Sequence, residues 1–269
     1  MDLTSIQAIT FDFGNTLVPV DRAGLRRVVE ATGDAVVARL GPFGRDEFLA
    51  IWAEERARQF REEVPNFREV DLAERFVRVL ARLRGMPPPA DAEPWDQALA
   101  ARESQPDEIA WAVEVYSSAF VRVMPPDPAV ERTLAALARR ASLAILSNWP
   151  LAATIDRYAE AAGWSPHLRA IVVSQRVGTI KPDPAIFAEA RRLLGDPPAR
   201  AILHVGDDWA ADVVGAVRAG WRAAYVTSRP GDSPLPSSER DLTVVPDLEI
   251  ESLAQLADLF GEVETGPAR

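Results

Sequence analysis

Six short apolar runs, at 7–12, 142–147, 170–174, 201–206, 223–227 and about 242–245, do most to limit what this chain can fold into. They are continuous rather than alternating with polar residues, the pattern of parallel strands covered on both faces. Between the later runs lie stretches of helical periodicity at 128–140, 151–163, 184–194, 209–219 and 249–259. Strands and helices alternating in this way predict an α/β fold on a doubly wound parallel sheet. The first run, however, stands about 130 residues before the second, and the interval reads as helix over 22–40, 45–63, 69–84 and 107–121. Its breaks are "GPFG" at 41–44, "VPNF" at 64–67 and "GMPPPADAEP" at 85–94. The economical reading is an α/β core of 1–20 and 122–269, with a helical domain over 21–121 inserted after the first strand. "MPPDP" at 124–128 reads as the return linker. "RPGDSPLPSS" at 229–238 is expected to be a mobile surface excursion, and the last ten residues to fray.

Composition excludes several classes. The 269 residues, 48% of them hydrophobic, suffice for one large domain or two smaller ones. A net charge of −10 argues against a nucleic-acid partner held by bulk positive charge. No run approaches the ~18 apolar residues of a membrane span, and no basic, then apolar leader opens the chain. The absence of cysteine removes disulfide and thiolate chemistry and fits a cytoplasmic location. Of the 30 basic residues only Lys181 is a lysine. A planar guanidinium cannot replace an ammonium where a compact charge must fit a tight site, so Lys181, in "GTIKPDP", draws notice.

In an open parallel sheet, ligands sit beyond the carboxyl ends of the strands. Those ends carry Asp12, then Ser147 and Asn148, then Asp207 and Asp208 in "HVGDD". Lys181 arrives on the loop after the 170–174 run, and Asp212 lies five residues beyond Asp207. Crowded carboxylates repel one another unless a cation joins them, and hard oxygen ligands suit Mg2+. Ser147, Lys181 and the amides of the turn after Asp12 suit the oxygens of a phosphate. A metal beside a phosphate site, with a carboxylate between them, describes phosphoryl transfer to a protein nucleophile.

With these residues in place, the sequence resembles the haloacid dehalogenase-like superfamily of hydrolases. The first motif of that family, D-x-D-x-T, is met by "FDFGNTL", the second by "AILSNWP", the third by "GTIKPDPAIF" and the fourth by "GDDWAAD" at 206–212. The resemblance covers 6–20 and about 122–226, and makes the helical insertion a cap domain. It implies that Asp12 is a nucleophile forming an aspartyl-phosphate while one of its oxygens binds Mg2+. The Gly14 carbonyl and Asp207 are then further metal ligands, and Asp212 supports metal-bound water or orients Lys181. Ser147 and Lys181 hold the phosphoryl oxygens, Thr16 supports the nucleophile loop, and Asn15 and Asn148 contact substrate. The expected partner is a small phosphorylated metabolite, with no nucleic acid or membrane involved and the chain a monomer or homodimer.

The chain departs from the family at Gly14, where phosphatases carry a second Asp that protonates the leaving oxygen and then deprotonates water. That general acid–base step is typically worth ~10²–10⁴-fold in rate. Three readings stay open: a phosphohydrolase that borrows an acid, a phosphorylated-ligand or partner-binding protein with vestigial turnover, and a 2-haloacid dehalogenase-type displacement. Asp207 opposes the last. Phosphonoacetaldehyde hydrolases use a cap lysine, and this cap has none. Candidate cap acids are Glu54, Glu55, Glu62 and Glu63, although such glutamates more often form solvated helix faces. Arg56, Arg58 and Arg61 are candidates for an anionic substrate tail, or for pairs with glutamates at four-residue spacing. Trp149 and Trp209 either stack on a flat leaving group or simply pack. His204 reads as a hydrogen-bonded core residue, His167 as a loop residue, and Asp208 as a metal neighbour or a helix N-cap.

Overall fold

The computed structural model describes residues 2–90 and 93–265, with side chains as far as 261. Its centre is β1 (Ala8–Phe11), whose four residues are all buried. On one side β1 pairs with β2 (Ser142–Ser147), and β2 with β3 (Leu168–Val173). On the other side it pairs with β4 (Ile202–Gly206), followed by β5 (Arg222–Val226) and β6 (Leu248–Ile250). The order is β3-β2-β1-β4-β5-β6 and every pairing is parallel. Chain order reverses at β1, so the carboxyl ends of β1, β2 and β4 open onto one crevice.

Between β1 and β2 run α1 (Arg22–Leu40), α2 (Arg45–Glu63), α3 (Leu72–Leu83), α4 (Gln97–Ala100), α5 (Pro106–Val123) and α6 (Pro128–Ala138). The first five stand where the sequence places the helical insertion. Helix α3 starts later than its periodicity suggests. The Asp71 carboxylate accepts from the amides of Ala73 at 2.7 Å and Glu74 at 3.2 Å, fixing the first turn there and leaving 69–70 outside the helix. The sheet is completed by α7 (Ala152–Ala161), α8 (Ser174–Val177) and α9 (Pro184–Leu193).

One apolar core runs unbroken from the cap helices into the sheet. Phe13, just beyond β1, meets Trp149 edge-on at 5.1 Å and Tyr158 of α7 at 5.3 Å. Phe120 of α5 closes the cluster, 5.4 Å from Trp149 and 6.0 Å from Phe13. Within the cap, Trp52 packs among Phe48, Phe76 and Tyr116. On the other face of the sheet, Phe187 meets Trp221 and His204.

Three expectations need correction. The last strand is Leu248–Ile250, not 242–245; the β-branched run instead leaves Leu242 87% and Val245 78% exposed. The single helix expected at 209–219 opens with a π-helical turn, Trp209–Val214, before α10 (Gly215–Arg218). The closing helix, α11, is Leu253–Thr265, displaced along the chain from 249–259 by the strand that precedes it. Of the last ten residues, 266–269 lie outside those described.

Candidate active site

Asp12 follows β1 directly, and its amide still donates to Val205 O at 2.8 Å. The chain then turns tightly, with Asn15 in the left-handed region at φ 60°, a conformation asparagine tolerates better than most side chains. The turn closes through Val18 N to Phe13 O at 2.9 Å and Asn15 N to Val18 O at 2.7 Å. Asp12 is thereby lifted above the sheet with 9% of its surface open.

Asp12 Oδ1 accepts from Ser147 Oγ and from Lys181 Nζ, each at 2.9 Å. Lys181 Nζ also donates to Asp212 Oδ1 at 2.6 Å and to Leu146 O at 2.9 Å, so all three of its protons are placed. Asn148 positions that lysine through its backbone: Oδ1 accepts from Lys181 N at 2.7 Å and Nδ2 donates to Lys181 O at 3.0 Å. The Asn148 side chain therefore clamps the lysine loop. Asn15 is likewise engaged, donating to Asp207 Oδ2 at 3.3 Å and to Ser233 Oγ at 3.0 Å. Thr16 Oγ1 faces Asp207 Oδ1 at 3.5 Å.

Carboxylate oxygens of Asp12, Asp207 and Asp212 lie within 4.8 Å of one another. Burial pushes Asp12 up to about 6, against the attraction of Lys181. Burial, with repulsion from Asp12 and Asp212, pushes Asp207 up to about 8. Asp212 goes the other way: burial would raise it, but Lys181 and His204 hold it below the usual carboxylate range. Burial also pulls on the Lys181 ammonium, and the two aspartates outweigh it, leaving its pKa above the ordinary lysine value. Two crowded oxyanions that burial holds reluctant to ionise, beside a third that is fully ionised, make a set a hard dication would neutralise. The donor set fits Mg2+.

The remaining candidates separate cleanly. His204 is buried between Thr10 Oγ1, 2.8 Å away, and Asp212 Oδ1, 3.0 Å away, as a core histidine; burial pushes its pKa down. Its neutral ring orients Asp212. His167 faces Glu131 at 2.9 Å, away from the crevice. Asp208 caps the following turn through Ala211 N at 2.8 Å. Trp209 is buried against Tyr225 under Arg240, and only Trp149 lines the crevice. The four cap glutamates are spoken for: Arg82 holds Glu54 and Glu55, Arg78 holds Glu62 and Arg68 holds Glu63.

The loop 229–238 overturns its sequence reading. It is not a free excursion but a flap across the crevice. Arg229 pairs with Asp207 at 3.1 Å, Ser233 bonds Asn15, and Ser238 donates to Asp208 at 2.9 Å. Leu235 lies so close that a Cβ built on Gly14 would stand 2.5 Å from its Cδ1. Beneath the flap is a cavity of about 410 Å³, lined by Asp12, Lys181, Asp207 and Asp212 on the sheet side. On the cap side it is lined by Arg56, Glu69, Arg75 and Tyr116 amid apolar side chains. Glu69 escaped the sequence reading. Its carboxylate accepts from Ser174 Oγ at 2.5 Å and from Val70 N at 3.0 Å, and burial pushes it up to about 7.

A six-stranded parallel sheet with helices inserted after its central strand, and a carboxylate–lysine cluster at the strand ends, defines a doubly wound α/β protein with a helical cap over its site. A family model described as "haloacid dehalogenase-like hydrolase" matches residues 6–220, and the chain belongs to that family. It is 37% identical over 93 residues to a glyceraldehyde 3-phosphate phosphatase of Methanopyrus kandleri, covering 35% of this chain and 38% of that protein. It is 32% identical over 118 residues to the 5-amino-6-(5-phospho-D-ribitylamino)uracil phosphatase YigB of Escherichia coli, covering 43% and 48% respectively. The chain thus spans less than half the length of either relative. Among solved structures, a 2-haloacid dehalogenase from Pseudomonas syringae pv. Tomato DC3000 aligns with TM-score 0.63 at 22% identity, over 96% of this chain and 99% of that one. That likeness is one of fold. No described helix is long and apolar enough to cross a membrane.

Proposed function

We propose that this chain is a Mg2+-dependent phosphohydrolase that turns over small phosphorylated metabolites through an aspartyl-phosphate on Asp12. One observation carries the reading: Asp12 lines the cavity, its Oδ1 is pinned by Ser147 and Lys181, and its Oδ2 takes no hydrogen bond among the described residues. Asp12, Asp207 and Asp212, with the Gly14 carbonyl, are the groups to hold the metal, directly or through water. When bound, Mg2+ supplies positive charge for the phosphoryl oxygens and keeps the aspartates ionised. The phosphatase names of both curated relatives support the substrate class.

In the first step Oδ2 of Asp12 attacks phosphorus as the ester oxygen leaves. Ser147 and Lys181 hold the phosphoryl oxygens against the charge that builds there. The leaving oxygen needs a proton, and Gly14 has none to give. Glu69, protonated for about half the time near pH 7 and lining the same cavity, is the proposed donor. In the second step the Glu69 carboxylate takes a proton from water, the water oxygen bonds to phosphorus, and the bond to Oδ2 breaks.

The test is hydrolysis of p-nitrophenyl phosphate with Mg2+ and with EDTA. Turnover should require the metal, with chloride release from 2-chloropropionate undetectable; metal-independent turnover or chloride release would remove the reading. The Arg229–Asp207 pair favours a second reading, a phosphate-ligand binder with vestigial turnover. It predicts tight phosphate binding with less than one turnover per hour.

Leu235 shapes a further expectation. An aspartate at position 14 meets its Cδ1, so Gly14→Asp alone should change alkyl phosphate turnover less than about threefold. Paired with Leu235→Ala in a Glu69→Gln background, where that step is missing, it should raise turnover at least about tenfold, since general acid–base catalysis is worth ~10²–10⁴-fold. A steady-state comparison of both variants decides it.

A further inference from the structure

Arg75, in the first turn of α3, is only 4% exposed. Its Nε donates to Gln59 Oε1 at 2.8 Å, Gln59 is held in turn by Asp71 O at 2.9 Å, and the guanidinium stands 5.3 Å from the Trp52 ring centre. Its Nη2 is buried with no hydrogen-bond partner. The neighbouring buried arginines are not left this way: Arg78 donates to Glu62 at 2.8 Å, and Arg58 to Pro89 O at 2.9 Å. Arg75 has no ion pair among the described residues, although burial only lowers it to about 10 and it remains a cation near neutral pH. A buried guanidinium held in place by Gln59 and the Trp52 ring, with Nη2 unmet, suits a donor reserved for a ligand.

What lies around Arg75 supports the assignment. Arg75 lines the same cavity as Asp12 and Lys181. Arg56 of α2 enters the cavity beside it, with a ring contact to Phe60 at 4.9 Å. Tyr116 of α5 completes the group; burial raises its phenol to about 12, so it is a neutral donor. Three helices therefore bring two cations and a hydroxyl to one wall, while much of the remaining cap wall is apolar, with Leu25, Phe60, Val64, Val70 and Leu72.

We propose that Arg75, supported by Arg56 and Tyr116, receives a second oxyanion of the substrate, so that the preferred ligand is a short phosphate ester carrying a carboxylate or a second phosphate. The inference rests on the phosphohydrolase reading for the other end of the ligand. Of the arginines singled out in the sequence, Arg56 belongs to this wall. Arg58 turns to the 89–90 backbone, and Arg61 is exposed.

The experiment compares kcat/KM for matched esters that differ only in the second group. 3-Phosphoglycerate against glycerol 3-phosphate tests the carboxylate, and propane-1,3-diol bisphosphate against propyl phosphate tests the phosphate. For at least one pair the wild-type ratio should be about tenfold or more, carried mainly by KM. Arg75→Gln should bring that ratio within about threefold of one, and Arg75→Lys should restore part of it. A general loss of packing would lower both members of a pair and leave the ratio unmoved. Ratios near one in a wild-type enzyme that hydrolyses p-nitrophenyl phosphate, or a ratio that survives Arg75→Gln, would overturn the proposal. If wild type hydrolyses no phosphate ester with Mg2+, the phosphohydrolase reading has failed instead. Calorimetry on wild type then decides the subsite: 3-phosphonopropionate and propane-1,3-bisphosphonate are each set against propylphosphonate. At least one should bind about tenfold more tightly, and equal affinity of all three overturns it.

Discussion

Asp12→Asn is expected to lower Mg2+-dependent hydrolysis of p-nitrophenyl phosphate by at least about 10⁴-fold, roughly 5.5 kcal/mol of barrier. Asparagine keeps the volume of the side chain and an oxygen to accept from Ser147 and Lys181, and the lysine retains Asp212 and Leu146 O. What is lost is the anionic oxygen that attacks. Folding should survive. Burial raises the folded pKa of Asp12 from 3.8 to about 6, so its contribution to stability is fully present below about pH 3.8 and is lost as pH rises through 6. Thermal unfolding in EDTA at pH 8 should therefore show the variant no less stable than wild type. Rapid-quench trapping should give a phosphorylated wild-type chain and an unlabelled variant. Residual activity within tenfold of wild type would show that the carboxylate is not the nucleophile.

Glu69→Gln should produce the second large effect, one that depends on the leaving group. An alkyl phosphate needs its departing oxygen protonated, and kcat/KM, which reports the first step alone, should fall by about 10²–10³-fold. A p-nitrophenolate leaves unaided, and the loss of kcat/KM there should stay below about tenfold. For alkyl substrates, wild-type kcat should decline as pH rises through about 7, and that limb should vanish in the variant. Stability should move the opposite way. Folded Glu69 lies at about 7 against an ordinary 4.5, so its stabilising contribution is complete below pH 4.5 and gone above 7. A difference of about 2.5 units corresponds to roughly 3 kcal/mol. At pH 8 the glutamine variant should resist urea better than wild type by up to that amount, and at pH 4 the two should unfold together. Equal losses on both leaving groups would exclude Glu69 as the proton carrier.

Much of the fold is legible in the sequence because buried parallel strands must be continuously apolar, and the polar residues that end them stand out. Asp12, Ser147 and Asp207 each interrupt such a run, and Lys181 is conspicuous as the one lysine. The family model's match, residues 6–220, contains all four stretches. What escaped depends on long-range contact. Glu69 sits within an apparently helical stretch, and only the Asp71 cap shows that the helix begins beyond it. The Asp71 cap was itself a readable signal. The segment 229–238 has the proline and serine of an exposed loop, but its Arg229 pairs with Asp207 of the β4 end and its Leu235 lies over Gly14, about two hundred residues earlier in the chain. Likewise Leu242 and Val245 have strand-forming side chains with nothing to cover them, whereas the shorter Leu248–Ile250 has β5 as a neighbour.

The aromatic cluster joining Phe13 to Phe120 and Tyr158 has a consequence for traffic through the enzyme. A ceiling welded to its floor by interlocked rings does not lift like a lid. Opening at the side instead takes only one ion pair, Arg229 to Asp207, and the displacement of one leucine, Leu235, from above Gly14. Loosening that latch is expected to admit bulkier guests.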